Sequence, residues 1–159
     1  MLELRRLTRA LDEIAEALAD QGSQEFGQRW SLRRSSGEFH LSGEDFDVDD
    51  EDEDEDEEDL VPIHPIPSYV WYQDMVDFAD GVSDATGARR LTRALDGRGA
   101  FRRFKNELRE EYPDWVRPWQ AFRETRARNR AVGWLRDEEL ISYEAAERYL
   151  NEHPDPPIP

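Results

Sequence analysis

The chain has 159 residues, a one-domain length, with 37% hydrophobic and 37% charged residues and a formal net charge of −17. It has no cysteine, which excludes disulfide frameworks, thiolate catalysis and cysteine-ligated zinc. No apolar run reaches the roughly 18–20 residues of a membrane span, and the charge-interrupted start MLELRRLTRALDEIAEAL lacks a signal-peptide core, so the expectation is a cytoplasmic protein with no membrane partner.

Leu4, Leu7, Leu11, Ile14 and Leu18 are spaced 3, 4, 3, 4, which keeps one stripe of a first helix apolar. Gly22 is a plausible stop. Two heptads are too few to establish a coiled coil, so this helix is expected to dock on its own domain. Next, Trp30 and Leu32 alternate with polar neighbours, as do Phe39 and Leu41, around Ser35-Ser36-Gly37. That pattern predicts a β-hairpin. A lone hairpin is marginal in water; Leu60 to Ile66, broken by Pro62 and Pro65, can add only an edge segment.

Between these lies EDFDVDDEDEDEDEED, Glu44 to Asp59, with fourteen of the thirty-eight acids and no base. Outside it 24 acids face 21 bases, so the net charge describes mainly this segment. Its apolar content is too small to offset chain entropy, and disorder is expected. From Pro67 onward the pattern is helical. One amphipathic helix is predicted over about 68–80. A second is capped by Asp84, with Leu91, Ala94 and Leu95 inward and Gly97 as a left-handed stop. A third starts near Ala100, with Phe101, Phe104 and Leu108 on one face and Arg102, Lys105 and Arg109 on the other. A long fourth helix follows Pro113-Asp114, carrying Trp115, Trp119 and Phe122, and Pro118 is tolerable in its first turn. A short helix over about 142–150 precedes the tail HPDPPIP, expected to be a loose end.

The stretch Ala94-Leu95-Asp96-Gly97-Arg98-Gly99-Ala100-Phe101-Arg102-Arg103-Phe104-Lys105 is distinctive. It is followed by Trp119-Gln120-Ala121-Phe122 and Ala131-Val132-Gly133-Trp134-Leu135. With Met75-Val76-Asp77-Phe78 and Ser36-Gly37-Glu38 upstream, this order resembles a bacterial uncharacterised protein family, number 158 in its series. The resemblance spans about residues 28–140. It implies a strand turn, a variable acidic connection and a helical C-terminal part. It implies no activity, and no catalytic residue is carried over.

The 43-residue stretch from Ala88 to Arg130 holds 13 bases and 6 acids. Within it Arg98, Arg102, Arg103, Lys105 and Arg109 cluster around a Gly97-Arg98-Gly99 turn leading into a helix N-terminus, a setting that favours an anion. The blander alternative has the glycines ending one helix and starting the next, while the arginines pair locally. The motif joins two helices and matches no P-loop or dinucleotide fingerprint. The aromatics Trp71, Tyr72, Phe101, Phe104, Trp115, Trp119, Phe122 and Trp134 have helical spacing and are read as core, with Trp115 the strongest exception; base stacking is the other use of such residues.

The acidic candidates are Asp49, Asp50, Glu51, Asp52, Glu53, Asp54, Glu55, Asp56, Glu57 and Glu58. They suit a solvated linker, nucleic-acid mimicry, or screening of the chain's own basic stretch, an attraction that weakens with salt. The EF-hand glycine is missing. His40, His64 and His153 have no ligand or nucleophile partner at a recognised spacing, and Asp74, Asp77 and Asp80 suit capping or arginine pairing. No catalytic residue, metal ligand or cofactor is therefore assigned. The expectation is an α+β protein: an N-terminal helix and hairpin (1–43), an acidic linker (44–59), a helical domain (60–152) and a flexible tail (153–159). Its expected function is that of a non-enzymatic adaptor acting through protein–protein contacts by the acidic run or first helix. The alternative is a nucleic-acid-binding accessory protein whose arginine-rich face is screened by that run.

Overall fold

The computed structural model describes residues 1–20, 28–42 and 57–159. Within these the chain is α+β, with six α-helices and a small three-stranded antiparallel sheet. Two compact units make it up: Met1–Ile66 with Ala127–His153, and Pro67–Arg126 with Pro154–Pro159. This differs from the contiguous division that the linker suggests. The long fourth helix serves both cores, so no boundary can fall on a loop alone.

In the first unit a 3-10 turn, Leu4–Leu7, leads into α1, Thr8–Ala19. The leucine stripe is turned inward, with Leu7, Leu11, Ile14 and Leu18 buried. It is thus satisfied within the chain, as a docked helix requires. The sheet has β1 (Arg29–Arg33) at its centre, flanked by β2 (Phe39–Ser42) and β3 (Leu60–Ile63). Leu32 pairs with Phe39 on one side and Val61 on the other. Trp30 stacks on Phe39 at 4.7 Å. Pro62 lies opposite Ser31 on an edge strand, where a missing N–H is tolerated. Gly37 closes the hairpin turn at φ +73°, under the Leu7 side chain.

The acidic run reaches this sheet at its end. Residues 57–59 form a 3-10 turn. The Asp59 carboxylate accepts from the Ser35 amide at 3.0 Å and the Ser35 hydroxyl at 2.5 Å, and lies 3.8 Å from Arg33. Asp59 is therefore part of the hairpin, a correction to the linker boundary: its carboxylate satisfies a turn that sequence spacing did not connect to it. Asp49 to Asp56 lie outside the described residues.

The second unit contains α2 (Ser68–Gly81), α3 (Ala85–Ala94), α4 (Ala100–Glu111) and the first part of α5 (Val116–Asp137). Asp84 caps α3, accepting from the Thr86 amide at 3.1 Å. Gly97 and Gly99 both take left-handed φ, +74° and +76°, which lets α4 start immediately after α3 ends. The core is aromatic. Phe78 meets Trp119 at 5.4 Å and Phe122 at 5.7 Å, both edge-on, and Phe104 meets Trp119 at 4.9 Å. Returning to the first unit, α6 (Tyr143–Glu152) is capped by Ser142, whose hydroxyl accepts from the Ala145 amide at 3.1 Å.

Two expectations are corrected here. Phe101 is 43% exposed: Ala100, Phe104 and Leu108, at i, i+4 and i+8, occupy the inward stripe of α4, leaving Phe101 at its edge. The tail is also not loose. Asp155 bonds Arg126, the Ser83 amide donates to Pro159 O at 3.0 Å, and Ile158 packs on the core.

Candidate functional site

The five basic candidates lie on or just before α4, and the structure separates them. Arg103 is turned back toward α3. Its Nε donates to Ala94 O at 3.0 Å, and its terminal nitrogens donate to the carbonyls of Asp96 and Arg98. Those carbonyls end a helix and its turn, where a cation is favoured. Arg103 thus holds the α3–α4 corner.

Arg102, Lys105 and Arg109 follow at i, i+3 and i+7 and share one face of α4. Arg98 stands in the turn before it. All four are exposed, and among the described residues none of their side chains has an ion pair. Exposed Phe101 adjoins this face. The other side of α4 differs. There a groove of about 400 Å³ is lined by Arg90, Arg93, Arg103, Asn106, Glu107 and Glu110. Its cations are largely engaged: Arg90 Nε is 2.7 Å from Glu107 and its Nη1 3.5 Å from Glu111. Desolvation opposes the Arg90 charge, but the two glutamates outweigh it and hold the guanidinium protonated beyond its usual range.

A second polar centre joins Asp74 and Asp77, whose spacing suits arginine pairing, to partners that the spacing does not identify. Arg126 of α5 faces Asp74 and Asp77 of α2. Its Nη1 lies 2.5 Å from Asp77 Oδ2 and 3.3 Å from Asp74 Oδ1. Its other edge forms a fork to Asp155, with Nε to Oδ1 at 3.1 Å and Nη2 to Oδ2 at 2.9 Å. The guanidinium also lies 4.5 Å over the Phe122 ring. Asp74 is only 1% exposed. The hydrogen bond to Asp155, against desolvation and with help from Asp77 and Asp74, pushes Arg126 further toward its protonated form. Of the three aspartates that the sequence marks on this helix, Asp74, Asp77 and Asp80, the first two make the arginine pairing; neither Arg126 nor Asp155 carries a sequence signal that links it to them.

The remaining candidates do not converge. His40, His64 and His153 are exposed. His153 stacks on Tyr149 at 3.9 Å, with its Nδ1 2.8 Å from Tyr149 O. Trp115 is half-buried in packing, its indole over Gly87 and stacked on Tyr112 at 4.2 Å. Glu58 is exposed, and Glu57 lies in the 3-10 turn. Among the described residues no group of three or more His, Asp or Glu is placed to hold a metal ion. No helix among them is long and apolar enough to cross a membrane.

No solved structure matches this chain. A curated relative, a UPF0158 protein of Pseudomonas aeruginosa, is 30% identical over 137 residues, covering 86% of this chain and 87% of the relative. The model of the uncharacterised protein family UPF0158 matches residues 4–154. Sheet, helical part and the Gly97–Lys105 corner all fall within that span, and the chain belongs to this family.

Proposed function

We propose that this protein is a non-enzymatic binding module that grips nucleic acid with the outer face of α4. One observation carries the reading: Arg98, Arg102, Lys105 and Arg109 are exposed beside exposed Phe101, with no ion pair among the described residues. Phosphates take the cations, and an unpaired base takes the ring. From Arg102 to Arg109 the face extends about 10 Å along the helix. Segregation matters here, not net charge, because the second unit holds eleven bases and eleven acids. The acids Asp74, Asp77 and Asp80 sit on α2, whereas the free bases line α4. The α1 stripe is turned inward, so it is not the surface proposed.

The test is a titration of labelled single- and double-stranded RNA and DNA at low and moderate salt. The expected result is weak binding that falls with salt, with a log–log slope of about −3 for four contacts to a single strand. Reversing Arg102, Lys105 and Arg109 to glutamate removes it. Phe101→Ala weakens single-strand binding by roughly 5-fold or more, corresponding to about 1 kcal/mol, and leaves duplex binding nearly unchanged. If nothing binds at low salt, or the triple variant binds as well as the parent, the reading is wrong.

A further inference from the structure

The tail is held at three points, all within the second unit. At the first, Asp155 meets the free edge of Arg126 as a two-bond fork, the strongest geometry for such a pair. The opposite edge of that guanidinium is fixed by Asp77 and Asp74, and its face by Phe122. Those groups belong to α2 and α5, so the cation is oriented independently of the tail. At the second point, Ile158 lies on Gly81, where an added Cβ would fall 2.4 Å from its Cδ1. At the third, the Ser83 amide donates to Pro159 O at 3.0 Å. A charge clamp, an apolar seat and a main-chain hydrogen bond are the elements of an extended-peptide site.

The tail itself has the character of a ligand. Four of its last six residues are prolines, so it is stiff before it docks and loses little freedom on binding. Only Ile158 anchors it through apolar burial, and segments with few buried contacts open locally. Its attachment is well placed for a hinge. His153 is held by Tyr149 and by the Asn129 side chain, which donates to His153 O at 2.9 Å. The chain passes between the two units at the next peptide, His153–Pro154.

We propose that this notch is a recognition site for an extended Asp-Pro-Pro-Ile-Pro segment, filled by the chain's own tail and, in trans, by the tail of a second copy through reciprocal exchange. Each copy carries both seat and ligand, so the exchange is two-fold and closed. Every contact of the cis form is kept in the exchanged pair. The opposing factor is the effective concentration of a tethered tail, on the order of millimolar, so the exchanged pair grows with protein concentration.

The absence of cysteine makes a trap straightforward. Ser83→Cys and Pro159→Cys are made in separate full-length chains, which are then mixed in a glutathione redox buffer. The expected result is a cross-linked heterodimer whose yield rises with protein concentration. It falls to background when Asp155→Ala and Ile158→Ala are added to the Pro159→Cys chain. Background is set by pairing Pro159→Cys with Tyr69→Cys, because Tyr69 is 70% exposed. A chain carrying both Ser83→Cys and Pro159→Cys reports whether the tail docks. If that chain closes internally while the mixed yield stays at background, the exchange is overturned. If it does not close, the seat itself is overturned.

Discussion

Gly87 and Trp115 show how one hydrogen atom decides a packing site. Gly87 lies in the first turn of α3, where glycine costs at most about 1 kcal/mol against alanine. Its place is explained by Trp115: an added Cβ would stand 2.3 Å from Cη2 and 2.8 Å from Cζ3 of the indole. A flat ring braced by Tyr112 at 4.2 Å cannot retreat without losing that stack. Gly87→Ala is therefore expected to destabilise by about 1–2 kcal/mol, overpacking outweighing the helix-propensity gain. The urea midpoint falls, and a red shift in tryptophan emission accompanies it. A stabilised variant would mean that Trp115 does not rest on α3. Sequence spacing set Trp115 apart from the regular core aromatics but offered no sign of the glycine beneath it, because the two are distant in the chain. Phe101 is a subtler case. Its spacing to Phe104 and Leu108 fits a helical face, yet Ala100 fills the inward position at 7% exposure. Small residues read weakly in a periodicity, so the larger Phe101 outweighs Ala100 in the pattern although Ala100 is the buried one.

At the scale of elements, what is local was legible and what is distant was not. The α1 stripe, the hairpin turn, the Asp84 cap and the left-handed Gly97 each depend on neighbours within a few positions. So does the exposure of Arg102, Lys105 and Arg109 along one face. The Arg126 centre joins residues 52, 49 and 29 positions apart, and no period reveals such a set. For the same reason spacing alone cannot separate Arg103 from the exposed cations around it. Its role depends on where the α3 carbonyls point, which spacing alone does not give. The Arg126 centre ties α2, α5 and the tail together, and its removal is correspondingly severe. Arg126→Ala strips the guanidinium from the nearly buried Asp74 and is expected to cost about 3 kcal/mol, the scale for breaking a buried pair. Arg126→Lys keeps the charge but cannot present two edges at once, so it recovers less than half of that loss. Urea denaturation measures both variants. Equal stability of parent and alanine variant would show that the network contributes nothing.

Across the whole molecule, the acidic run has a topological duty as well as a charge. Strands β2 and β3 both run antiparallel to β1 and lie on opposite sides of it. They are therefore parallel to each other, and the chain must pass from the end of one to the start of the other. Such a connection needs a dozen or more residues, and residues 43–59 supply it. Deleting the run would remove that span and strike the Asp59 contacts with Ser35 and Arg33, so a deletion confounds charge with folding. Neutralisation avoids this. Residues 44–56 hold eleven acids, and replacing them with asparagine and glutamine lowers the formal charge from −17 to −6 at constant length. Repulsion between the chain and a polyanion then weakens, with a reach set by a Debye length of about 10 Å at 0.1 M salt. The neutralised chain is expected to bind single-stranded RNA at least about 10-fold more tightly near 50 mM salt, with the gain shrinking as salt rises. Its urea midpoint should match the parent within error, because the sheet and its Asp59 clamp are untouched. A gain that persists undiminished at high salt would point to steric occlusion by the run. No gain at any salt would mean that the run neither repels nor screens, leaving the α4 face to act on its own.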